Sequence, residues 1–183
     1  MRLTVFSFFS LCSFIWARDK QPNILYIFTD DQSVRSVSAY EKARSWVSTP
    51  NIDRLAKSGV RFTQCYTGTW CQPSRASALT GLLQHRLDSI KVTKYPMASY
   101  DPKKLPFFPS VLRKNGYETA CIGKWHLGED VGHGRDWDYS VIWDRGGERR
   151  NAMAYYHGTQ VRTNGGPREA LGGYSNDRFT EIA

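Results

Sequence analysis

The chain has 183 residues, 40% of them hydrophobic, and a formal net charge of +8. That length is enough for one domain with a core of its own. The four cysteines form no Cys-x-x-Cys pair and no zinc-ligand spacing, and no nucleic-acid-binding motif accompanies the basic charge.

Residues 1–17 are one arginine (Arg2), an apolar run and Ala17, the layout of a secretory signal peptide. The run falls short of the roughly 20 apolar residues that a stable membrane span needs. Removing it takes away Arg2, so +8 becomes +7. An exported protein is therefore expected, periplasmic or extracellular, or on the secretory or lysosomal route in a eukaryote. Its basic charge suits an anionic substrate, and a solvated basic surface accounts for it equally well.

Asn23 to Thr29 is an apolar run that reads as a strand buried on both faces of a parallel sheet. It stops at Asp30-Asp31, and ligand sites in open α/β sheets lie at the carboxyl ends of strands. Thr49-Pro50-Asn51 opens a helix with Ile52, Leu55 and Ala56 on one face and Gly59 as its end. Val60 to Tyr66 alternates like a strand. Residues 74–83 read as a helix of small residues starting just after Cys71. Pro109 begins another helix, ended by Gly116. Tyr117 to Ile122 is the next strand and runs into Gly123-Lys124-Trp125-His126-Leu127-Gly128. Strands alternating with helices imply an α/β fold. Residues 128–173 hold 10 of the 15 glycines and read as irregular loop, either near a substrate or as an insertion. The last segment, Tyr174 to Ala183, begins a helix without a C-cap signal, so the chain reads as residues 18–183 of a larger catalytic domain.

Four groups of residues carry chemistry. Cys71 stands at a helix start, where unpaired N–H groups favour an anion, and Pro73 suits a first turn because it lacks an N–H. Alone, the cysteine would also fit an ordinary thiol. Asp30 and Asp31 are hard oxygen donors suited to a cation such as calcium, or a solvated pair capping a turn. Arg75 is disfavoured by the macrodipole at a helix start, which points to a functional reason for its presence. Lys124 and His126 stand at i and i+2, so on an extended segment they point the same way. Trp125 reads as packing and His85 as structural; His133 and His157 carry no assignable role.

Cys71-Gln72-Pro73-Ser74-Arg75, followed by Ala76-Ser77, resembles the signature of the type I sulfatases. Asp30-Asp31, the Thr-Pro-Asn-Ile-Asp-Arg-Leu block at 49–55 and the Gly-Lys-Trp-His-Leu-Gly block at 123–128 extend the resemblance from Pro22 to Gly128. It implies an alkaline-phosphatase-like α/β sandwich, with a central, mostly parallel sheet flanked by helices and incomplete at the C-terminal side. It implies that Cys71 is oxidised to formylglycine by a formylglycine-generating enzyme or an anaerobic sulfatase-maturing enzyme. One hydroxyl of the hydrated aldehyde would attack sulfur and release the alcohol, and the second would expel sulfate. Asp30 and Asp31, with the oxygen at position 71 and two later ligands, would hold a divalent metal, Ca2+ foremost. Arg75 would support the formylglycine and the metal ligands. Lys124 would contact sulfate and the nucleophile, and His126 would hold or deprotonate the formylglycine hydroxyl.

The expected substrate is a sulfate ester; sulfated glycans, aryl sulfates and choline sulfate all fit. The family's remaining metal ligands, and a further lysine and histidine, cannot be placed before residue 183. The isolated chain is therefore expected to be poorly soluble or inactive. With Cys71 assigned to catalysis, two cysteines are left, Cys65 and Cys121, and the sequence leaves open whether they pair in an oxidising compartment. Two other readings stand beside this one. A phosphodiesterase-type hydrolase of the same superfamily would typically use Thr or Ser in place of Cys71. A non-catalytic carbohydrate-binding relative would keep an unconverted thiol.

Overall fold

The computed structural model describes residues 21–87, 105–145 and 149–183. They divide into two compact units, one ending at Asp30 and one running from Asp31 to Ala183. The expected signal peptide lies outside the described residues. No helix among those described is long and apolar enough to cross a membrane.

In the first unit the run expected to be a buried strand forms none. Residues 21–29 lack regular structure, and Leu25 and Ile27 are 85% and 68% exposed. The Tyr26 and Phe28 rings stack at 6.1 Å, the same-side relation of i and i+2 in extended chain. The composition suits a buried strand, but a strand is completed only by a hydrogen-bonding neighbour, and the described residues of this unit supply none.

In the second unit the first helix, α1, spans Pro50–Ser58 as expected. A polar clamp sets its start: the Ser38 hydroxyl donates to Asp53 (2.8 Å), the Thr49 hydroxyl donates to the other Asp53 oxygen (2.9 Å), and the Thr49 amide donates to Ser38 Oγ (2.7 Å). Ile52 and Leu55 of its predicted apolar face remain exposed. Val60 to Tyr66, expected as a strand, is likewise exposed and irregular.

α2 spans Cys71–Thr80, three residues earlier at each end than the predicted helix. Gly81 ends it in the left-handed conformation (φ 71°), its N–H donating to Ser77 O. α3 is Phe108–Lys114 and α5 Ser175–Ile182, both where expected. α4 is the short Arg149–Ala152.

The predicted loop 128–173 is corrected most. It contains three of the four strands of one mixed sheet, ordered β1 (Ala120–Lys124), β2 (Tyr139–Trp143), β3 (Gln160–Thr163) and β4 (Arg168–Ala170). β1 and β2 run parallel, with Lys124 opposite Trp143, while β3 and β4 add on antiparallel. Glycines in this region fall at positive φ between the strands, so a glycine-rich composition here marks tight turns.

β2 is buried on both faces. Ile142 joins Ala76 of α2, Leu87, Phe107, Trp125, Leu127, Val131 and Trp137 in one core. Val141 and Trp143 join Val161 and Leu171 in a second, against which Phe179 and Ile182 of α5 pack. Period-two alternation thus sends successive β2 side chains into two cores, and helices flank the sheet on both sides.

Candidate active site

The site is built from the start of α2 and the carboxyl ends of β1 and β2. Parallel pairing brings those two strand ends to one edge of the sheet. Pairing continues one residue beyond β1, where the Trp125 amide donates to Trp143 O at 2.8 Å.

α2 presents Cys71 as its first residue, half-buried, with Trp70 extended before it and no side-chain cap. Uncapped first-turn amides leave partial positive charge beside Cys71. The preceding loop lies directly on this turn. A Cβ on Gly68 would come within 2.6 Å of the Ser74 nitrogen and 2.9 Å of the Pro73 carbonyl carbon, so the approach requires glycine. The Thr69 amide donates to Gln84 Oε1 at 2.9 Å and fixes the loop's other end.

Arg75 follows Cys71 by one turn. Its Nη1 donates to the backbone carbonyl of Lys124 at 2.6 Å. This charge-assisted bond ties the helix bearing Cys71 to the end of β1. Cys121, the second residue of β1 and packed against the first core, has its thiol pushed up to about 12 by burial, with the Arg75 charge opposing and Asp136 assisting. Cys65, Cys71 and Cys121 are all free. Cys65 and Cys121, whose pairing the sequence leaves open, are apart in this structure: Cys65 is exposed on an irregular segment, whereas Cys121 is held in the sheet.

Lys124 and His126 do not share an extended segment, which corrects the predicted geometry. β1 ends at Lys124, and His126 sits at φ 62°. The reason lies between them. Trp125 is 2% exposed and packs edge-on against Phe107 and Trp137, at 5.7 Å and 6.3 Å, with its ring N–H donating to Asp130 O. Anchoring the indole in the core turns the chain, and His126 follows it into the interior at 7% exposure. Trp125 is therefore packing, as expected.

The Lys124 side chain lies against an aromatic pair that the sequence motifs do not mark. Its Nζ is 5.9 Å from the Trp143 ring and 6.0 Å from the Tyr155 ring. Arg145 approaches the same rings. The signal that could have found it was a cation two residues beyond the apolar run Val141-Ile142-Trp143, just before Gly146-Gly147.

Asp30 ends the first unit and Asp31 opens the second at φ 54°; both are exposed. As oxygen donors they suit a hard cation. Among the described residues no three or more His, Cys, Asp or Glu gather into a cation site. The structure brings Arg75, on the helix whose first turn presents Cys71, to Lys124. His85 lies exposed in a short 3-10 turn, Gln84–Arg86.

Comparison with known proteins bears on this arrangement. Residues 22–182 match the family model described as Sulfatase. An N-acetylglucosamine-6-O-sulfatase of Bacteroides thetaiotaomicron is 39% identical over 109 residues, which is 59% of this chain and 18% of the relative. Arylsulfatase H of Homo sapiens is 39% identical over 121 residues, 61% of this chain and 21% of the relative. A solved structure of a protein in complex with its substrate D-glucosamine-2-N,6-O-disulfate superposes with a TM-score of 0.73 at 30% identity, covering 89% of this chain and 30% of that one. The chain thus spans about a fifth of the length of these curated relatives.

Proposed function

The chain belongs to the sulfatase family, and from that premise we propose that the protein is a sulfuric ester hydrolase that cleaves a sulfated sugar to the alcohol and sulfate. The observation that carries the reading is the Arg75–Lys124 bond of 2.6 Å, which fixes the helix start bearing Cys71 against the strand end bearing Lys124. The sugar substrate is supported by the sulfated glucosamine in the similar solved structure.

Position 71, matured to formylglycine by a dedicated maturing enzyme, would supply a hydrated aldehyde as nucleophile. Asp30 and Asp31, with an oxygen at position 71, would hold a divalent cation, calcium by the hardness of the donors, to polarise the sulfate. The chain's own residues do the rest. First-turn amides of α2 stabilise the anion. Lys124 binds a sulfate oxygen through its ammonium group. His126, held out of bulk water, takes or holds the proton of the hydroxyl at position 71. Arg75 keeps the two elements in register. From the signal-peptide layout of residues 1–17 we also propose that the protein is exported, and N-terminal sequencing of exported protein should then begin at Arg18.

Peptide mass spectrometry tests the nucleophile. Trypsin cleaves after Arg61 and Arg75, releasing Phe62–Arg75 with both Cys65 and Cys71. In protein from its native host, alkylated Cys65 beside an aldehyde at position 71 supports the reading. Two alkylated thiols in a preparation that still hydrolyses sulfate esters would overturn the nucleophile assignment.

A further inference from the structure

We propose that Arg145 reads a second negative charge on the substrate, so that the preferred sugar carries two anionic groups. The inference rests on the sulfatase reading above.

Lys124 and Trp143 are register partners at the ends of two parallel strands, and Arg145 lies two residues beyond Trp143 at the same edge. That edge is where α/β sheets bind ligands. The Arg145 guanidinium carbon lies 5.6 Å from the Trp143 ring and 5.3 Å from the Tyr155 ring. The two rings meet edge-on at 5.3 Å. Lys124 approaches the same pair, so two cationic heads converge on one aromatic platform. The π-faces of the two rings attract both cations and hold them at this end of the sheet.

The local backbone points the same way. Arg145 is a non-glycine residue at φ 58°, a conformation that persists where its surroundings impose it and that clusters at functional sites. Its Nε and Nη2 donate to one carbonyl, Ala152 O, at 3.2 Å and 3.0 Å. Among the described residues no carboxylate lies within ion-pair distance of Arg145. The neighbouring Asp144 is buried and faces Arg168 at 2.8 Å and Arg162 at 3.9 Å. A guanidinium held in this way keeps donors suited to the paired oxygens of a sulfate or carboxylate. Tyr155, 41% exposed, leaves the cluster open to solvent.

The test is titration calorimetry on the full chain carrying Cys71→Ser, which prevents turnover. The probes are D-glucosamine-6-O-sulfate and D-glucosamine-2-N,6-O-disulfate. The disulfate should bind on the order of tenfold more tightly, the worth of about one charge-assisted hydrogen bond. Arg145→Gly, which suits φ 58° and so preserves the fold, should erase that preference, and Arg145→Lys should retain part of it. An undiminished preference in Arg145→Gly, or equal binding of the two sugars by the parent, overturns the inference while leaving the sulfatase reading intact. If neither sugar binds, the inference falls, while an aldehyde at position 71 in the peptide Phe62–Arg75 keeps the sulfatase reading standing on its own test.

Discussion

Replacing Arg75 with lysine removes the Nη1 bond to the Lys124 carbonyl while keeping the positive charge. At 2.6 Å this is a short, charge-assisted bond between elements 49 residues apart in sequence, and a lysine head at the same position is too short to reproduce the guanidinium fork. Hydrogen bonds to charged groups contribute about 1.5–3 kcal/mol each. In a chain of this size each kcal/mol corresponds to roughly 2–4 °C in the melting midpoint. The expected shift is therefore a fall of about 3–12 °C, read by circular dichroism on the full chain at matched concentration. Arg75→Ala should fall at least as far. A midpoint within about 1 °C of the parent would refute the claim that Arg75 joins α2 to β1, and with it the link between the helix bearing Cys71 and the strand end bearing Lys124.

Gly68→Ala drives a methyl group into the backbone of the first turn of α2; an overpacking cost of about 1–3 kcal/mol is expected. Hydrogen exchange at the Ser74 amide should accelerate, and unchanged exchange would count against the close approach. Native-state labelling with iodoacetamide should modify exposed Cys65 and spare Cys121, whose thiol is pushed up to about 12 by burial; equal labelling without denaturant would contradict that placement. Asp138 is held below the usual carboxylate value, first by its hydrogen bond from Arg113 and then by the Thr119 amide. A depressed pKa contributes stability above the unfolded value of about 3.9 and loses it as pH falls below. The melting midpoint of Asp138→Asn should therefore decline less steeply than the parent's on acidification below about pH 4. Parallel declines would remove Asp138 from the acid-labile contacts.

Apart from the short α4, which lies in the stretch read as loop, the helices were legible in the sequence because their signals are local. Pro50 and Pro109 mark starts, Gly59 and Gly116 mark ends, and a helix bonds only to itself, whereas Gly81, read as lying inside a helix over 74–83, in fact ends α2. The strands were not, because a strand depends on a distant partner. Ile24 to Ile27 and Val60 to Tyr66 have strand composition but no neighbour to pair with among the described residues. Tyr139 to Trp143 has both, and was hidden in a glycine-rich stretch whose glycines are turns. The same division runs through the site. Cys71 and Arg75 stand in a contiguous motif. The left-handed step at His126 and the cluster around Arg145 arise from Trp125 and Trp143 burying themselves, a tertiary event without a local mark.

The double burial of β2 also acts as a proofreading device during folding. Because Val141 and Trp143 serve one core while Ile142 serves the other, a slip of one residue against β1 would exchange the two sets at once. It would leave Ile142 opposite Lys124 and take Trp143 away from the cation it now meets. A one-residue slip therefore satisfies neither core, and a chain paired that way gains little from collapse. The geometry around Lys124 is thus set by the same all-or-none choice that closes the two hydrophobic cores.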